Sequence, residues 1–105
     1  MTVFARIDHA QGAADAGLSL CPTELLVFGN ARAGTPLMQA RQTVGIDLPL
    51  RVLAWQSADR VVWLMYNDPG WIARRHGLGP ALDQAVSRIA AVLGEVTRQA
   101  AAADE

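Results

Sequence analysis

Few residues in this chain carry side chains suited to chemistry. Asp8-His9, with Glu24 further along, offers one imidazole and two carboxylates. An imidazole exchanges protons near neutral pH, and a carboxylate can orient it. Acid–base catalysis by Asp8, His9 and Glu24 would need these groups within about 3 Å of a substrate proton. One histidine and two acids without repeated spacing lack the ligand pattern of a metal centre, so no metal site is expected. A second place is the stretch Phe28-Gly29-Asn30-Ala31-Arg32-Ala33-Gly34-Thr35-Pro36-Leu37-Met38. It leaves an apolar segment, passes two glycines and enters a helix. Free backbone N–H groups at a helix start favour anions. Arg32 would add charge, and Asn30 and Thr35 would add hydrogen-bonding groups. No lysine follows, so this is not a Walker loop. The plain alternative is a strand-to-helix turn in which Thr35 merely caps the helix.

Further candidates stand at element ends. Tyr66-Asn67 closes a strand before Asp68-Pro69, where ligand contacts commonly sit. His9, Tyr66 and Asn67 are therefore expected on the rim of any binding site. Trp55, Trp63 and Trp71 could line a pocket or an interface, but tryptophan at alternating positions is more often packing. Arg74-Arg75-His76 could bind an anion or be only a solvated helix end favoured by the dipole. Cys21 lies beside Pro22 with no catalytic signature around it and reads as a small packed residue.

The elements that must position these groups can be read from periodicity and punctuation. Val3-Phe4-Ala5-Arg6-Ile7 alternates, with Val3, Ala5 and Ile7 predicted on one strand face. Asp8 then caps a short helix, His9 to Ala16, ended by Gly17. Four successive apolar residues, Leu25 to Phe28, predict a central strand covered on both faces. Thr35-Pro36 predicts a helix start, with the helix running to Arg41. Leu50 to Gln56 and Arg60 to Tyr66 read as an antiparallel hairpin around Ser57-Ala58-Asp59. Asp68 then caps a helix from Pro69 to His76. Pro80 opens the last helix, about residues 80–103, in which Leu82, Val86, Ile89, Leu93, Val96 and Ala100 form one apolar seam. The prediction is an α+β fold: a single small domain over residues 1–105, with a mostly antiparallel sheet of about four strands, short helices and the long amphipathic helix packed on it.

Composition narrows the partners. The chain has 105 residues, a hydrophobic fraction of 51%, a charged fraction of 18% and a formal net charge of −1. Its nine basic residues are all arginine. No broad basic face is evident, which argues against nucleic acid. The apolar runs are too short for a bilayer span, so no membrane partner is expected. A single cysteine cannot form an internal disulfide, which fits the cytoplasm, and no signal peptide opens the chain. Scarce charge suggests apolar surface covered by another subunit. No cofactor is expected.

Taken together, Val3-Phe4-Ala5-Arg6-Ile7-Asp8-His9, Phe28-Gly29-Asn30, Gly34-Thr35-Pro36-Leu37-Met38, Asp47-Leu48-Pro49-Leu50 and Tyr66-Asn67-Asp68-Pro69 resemble the domain of unknown function 302 family. The resemblance runs from Val3 to Leu78 in family order. It implies a compact α/β domain with an antiparallel-rich sheet, often dimeric, without an established activity. Its characteristic polar positions fall on Asp8, His9, Glu24, Asn30, Thr35, Asp47, Tyr66, Asn67 and Asp68. Relatives usually carry a helix and a strand before the segment matching Val3. Here that part is absent, so either the chain is delimited differently or a partner covers the gap.

The expected function is a homodimeric or higher oligomeric module binding a small ligand, an anion foremost, at loop 29–36. Its ligand-binding candidates are His9, Asn30, Arg32, Thr35, Tyr66 and Asn67. The alternatives are an enzyme built on Asp8, His9 and Glu24, or a purely structural oligomer with an apolar interface of over about 1,000 Å².

Overall fold

Caps and turns order the elements in the computed structural model, which describes residues 2–103 and the side chains of 2–100. The order is β1 (Thr2–Asp8), α1 (His9–Asp15), β2 (Thr23–Gly29), α2 (Ala31–Ala40), a 3-10 segment (Gln42–Ile46), β3 (Leu50–Gln56), β4 (Val62–Tyr66), α3 (Pro69–Arg75), a 3-10 turn (Pro80–Leu82) and α4 (Asp83–Ala103). The strands form one sheet in the order β1-β2-β3-β4, and every neighbouring pair is antiparallel. This is the α+β architecture that the periodicity predicts.

Two caps are the predicted ones. The Asp8 carboxylate accepts the Gln11 N–H at 2.9 Å, and Asp68 accepts the Gly70 N–H at 3.0 Å. A carboxylate there satisfies a backbone donor that has no partner in the first turn. Gly77 follows α3 with φ +65, the left-handed conformation that glycine adopts without a Cβ penalty.

The start of α2 differs from expectation. Asn30, not Thr35, is the N-cap, and its side chain accepts the Arg32 N–H at 2.8 Å. Thr35 and Pro36 lie inside the helix. The fixed φ of proline is compatible with helix, but Pro36 withholds the N–H that would serve the Arg32 carbonyl and sets its ring against that carbonyl. Asparagine caps as well as serine and better than threonine, so the stronger signal won.

The strand faces also differ. A register irregularity between Val3 and Ala5 puts Val3 opposite Phe28 but Ala5 opposite Val27. Val3 therefore parts from Ala5 and Ile7, because a bulge resets the period of two. β2 is not covered equally on its two faces. Phe28, Leu50 and Val52 are buried, and Leu26 and Leu64 pack beside them. They share one face, since Phe28 pairs with Leu50 and Leu26 with Val52. Leu37, Val44, Ile72, Val86, Ile89 and Leu93 from the helical side complete this core. The α4 seam thus docks through its centre, while Val96 is exposed. The opposite face carries Ile7, Leu25, Val27, Leu53, Trp55, Trp63 and Met65. None is fully buried, and Ile7, Trp63 and Met65 are 42%, 52% and 53% exposed. Trp55 and Trp63 stack there with ring centroids 6.3 Å apart.

Candidate functional site

The end of β2 opens into a cavity. β2 finishes at Phe28-Gly29, and Gly29 leaves room for the ring of Phe4 and for Pro49, both 3.4 Å from where its Cβ would stand. Asn30 turns the chain into α2, whose first residues form one wall. Leu48, Pro49 and Leu50 enter β3 along a second wall, through a cis Leu48–Pro49 bond. α4 closes the third side with Ala85, Arg88, Ile89 and Val92, spaced three, one and three residues apart and so on one helical face. The space measures about 680 Å³, within the range of small-molecule pockets.

Its lining is apolar except for Asn30, Arg32, Thr35 and Arg88. No acidic residue lines it, and among the described residues neither Arg32 nor Arg88 has a carboxylate within 4.0 Å. Two arginines thus line the cavity among apolar residues without a carboxylate partner.

Of the residues singled out in the sequence, Asn30, Arg32 and Thr35 meet at this cavity. His9, Tyr66 and Asn67 do not line it. Asp8 pairs with Glu24 and Thr2 with Gly29, so His9 lies at the other end of the β1–β2 ladder, about 17 Å away at the usual strand rise. Tyr66 stands at the same sheet end as Gly29 but on β4, two strands across, with its hydroxyl beside Gly94 of α4. Glu24 ion-pairs with Arg6, and Asp8 is occupied as a cap. Among the described residues no group of three His, Cys, Asp or Glu could hold a metal ion. Arg88 and Phe4 were not anticipated. The signal for Arg88 was its position between seam residues Val86 and Ile89, but only folding shows that this flank of α4 faces α2.

A second polar cluster gives new roles to residues read as solvent-facing. Asp47, 6% exposed, accepts two bonds from Arg75 Nη1 at 2.9 and 3.0 Å and contacts His76 Nε2 at 2.5 Å. His76 Nδ1 lies 3.5 Å from the Thr43 hydroxyl. Arg75 also lies over the Trp71 ring, 5.7 Å from its centroid. The bond to His76, opposed by burial and reinforced by the Arg75 charge, holds the Asp47 carboxyl below the usual carboxylate range. Arg75 and His76 are therefore not a free basic end. They fasten α3 to the segment before β3.

Sequence and fold comparisons agree on the family. The family described as "Domain of unknown function DUF302" matches residues 1–96 of the chain. The chain is a DUF302 domain. The crystal structure of an uncharacterized conserved DUF302 protein from Bacillus stearothermophilus superposes with a TM-score of 0.72 over 89% of this chain and 72% of that one, at 18% identity. The likeness is one of fold. Among curated proteins, this DUF302 domain is 52% identical over 101 residues to the fluoride-specific ion channel FluC 1 of Brucella suis biovar 1 (strain 1330). It is equally identical to FluC 1 of Brucella abortus biovar 1 (strain 9-941). The match covers 96% of this chain but only 40% and 37% of those relatives. The domain thus spans about two fifths of their length. Among its described residues, no helix is long and apolar enough to cross a membrane.

Proposed function

We propose that this DUF302 domain is a homo-oligomeric module that binds a small anionic ligand at loop 29–36. The observation that carries the reading is the cavity of about 680 Å³ in which Arg32 and Arg88 meet no acidic residue. Exposed guanidinium groups without a carboxylate partner favour a carboxylate or phosphate, which accepts their hydrogen bonds. Asn30 spends its carbonyl on the α2 cap, which leaves its amide N–H groups and the Thr35 hydroxyl for orientation. The acid–base alternative draws little support, because Asp8 and Glu24 are already engaged and His9 lies far from the cavity.

The oligomer rests on the open sheet face. Ile7, Trp63 and Met65 make an exposed apolar patch on a strand layer whose other side is the core, and patches of this kind mark association sites. In the Brucella relatives the same domain shares a chain with a further three fifths, to which we assign the fluoride conduction that their name states. The exposed, unpaired Cys21 favours a reducing compartment, the cytoplasm.

The ligand reading is tested by ¹⁵N-NMR titration of the whole chain with fluoride, acetate, phosphate and longer carboxylates. The expected result is saturable shifts at Ala31–Thr35 and Arg88, weakened in Arg32→Ala. The absence of shifts with every anion removes the reading. Sedimentation velocity tests the association: a multimer is expected, converted to monomer by Trp63→Arg. A monomeric parent protein at all concentrations removes that half.

A further inference from the structure

We infer that the ligand of the loop 29–36 cavity is an amphiphile, a single-chain carboxylate with an apolar tail, rather than a compact inorganic anion. The inference rests on the anion reading above and adds the second half of the ligand. A site for a bare phosphate or halide is small and lined by donors on most sides. This one is not. Its polar side chains are those of Asn30, Arg32, Thr35 and Arg88, and its other lining side chains are apolar.

Phe4, Met38, Leu48, Pro49, Ile89 and Val92 line the remainder. A compact ion held by the arginines would leave these walls against water in a space of about 680 Å³, at a cost proportional to their exposed apolar area. An alkyl tail removes that area from water. The two features call for opposite ends of one molecule: a charged head for Arg32 and Arg88, and a hydrocarbon body for the walls. The missing acidic residue is part of the same match, since a carboxylate in the lining would neutralise the guanidinium groups and repel the head. A neutral lipid would leave both arginines unpaired, and an amine amphiphile would meet two like charges.

The test is calorimetric titration of the intact chain with butyrate, hexanoate, octanoate and decanoate, alongside decanol, phosphate and acetate. All are kept below the concentration at which they self-associate. Affinity is expected to rise about fourfold per methylene along the carboxylate series, the ratio that corresponds to burial of each group. Decanol is expected to bind at least about tenfold more weakly than decanoate. Arg32→Ala and Arg88→Ala are each expected to lose about tenfold for decanoate and little for decanol. Both side chains are exposed, so the variants are expected to fold, and their dispersed NMR spectra check this. Val92→Glu is expected to abolish decanoate binding by setting a charge in the tail's path.

Equal affinity for acetate, phosphate and decanoate, with shifts at Ala31–Thr35, overturns the amphiphile and leaves the small-anion reading in place. Decanol binding as tightly as decanoate, with both arginine variants silent, overturns both. Binding to phosphatidylglycerol vesicles without binding to free decanoate also overturns the inference, because it locates the ligand in a membrane surface rather than in solution.

Discussion

Replacement of Asp47 by asparagine should destabilise the domain by about 2–3 kcal/mol at neutral pH, from the loss of charge-assisted hydrogen bonds in a shielded site. The estimate follows from the geometry. Asp47 is 6% exposed and receives Arg75 at 2.9 and 3.0 Å and His76 at 2.5 Å. Asparagine keeps one carbonyl acceptor, turns an amide donor toward groups that also donate, and removes the charge. The Arg75 side chain is 47% exposed, so water takes over much of its solvation, and the loss stays well short of that for a fully buried pair. Urea unfolding at fixed protein concentration reads the effect. With a slope near 1 kcal/mol per molar, the midpoint should fall by about 2–3 M.

The pH dependence gives the sharper check. The folded state holds the Asp47 carboxyl below its unfolded value, so the unfolded chain binds the proton more readily. The stability from Asp47 is therefore complete above the unfolded value of about 4 and is lost as pH falls through the lower folded value. The gap between parent and Asp47→Asn should be wide at pH 7 and should close below about pH 4. A gap under about 1 kcal/mol at pH 7, or one unchanged into the acid range, would refute the fastening role given to this cluster.

Three further outcomes follow from the core and the caps. Leu93→Ala should cost about 3 kcal/mol in urea unfolding, because Leu93 is 1% exposed at the centre of the α4 seam. Asn30→Ala should cost about 1 kcal/mol and fray the first turn of α2, seen as faster amide exchange at Arg32, because its side chain is the cap. Gly77→Ala should cost about 1–2 kcal/mol, since φ there is +65 while nothing crowds an added methyl closer than 3.8 Å. A neutral result would show that the turn relaxes.

Local signals in this chain are strong wherever one residue acts on its near neighbours. Asp8 and Asp68 cap the helices that follow them, the hairpin turns at Ser57–Asp59, and the 3.6-residue seam announces α4. These depend on contacts within a few residues and are legible without a fold. Local chemistry pointed to Thr35 as the cap of α2, whereas Asn30, five residues earlier, holds that place. Long-range features were not legible. Asp47 meets Arg75 and His76 from 28 and 29 residues away, and no spacing rule links them. The cavity joins Phe4, Arg32, Leu48 and Arg88, separated by most of the chain, and exists only because α4 lies beside α2 and the end of β2. The apolar run Leu25 to Phe28 declares a strand with two apolar faces; which face becomes core is decided by the side to which α2, α3 and α4 return. Sequence by itself determined the Asp8 and Asp68 caps, the strands and the family. Tertiary packing alone decided which arginines stay unpaired, which carboxylate is sequestered and which sheet face remains open, since charge pairing and burial depend on distance in space rather than along the chain.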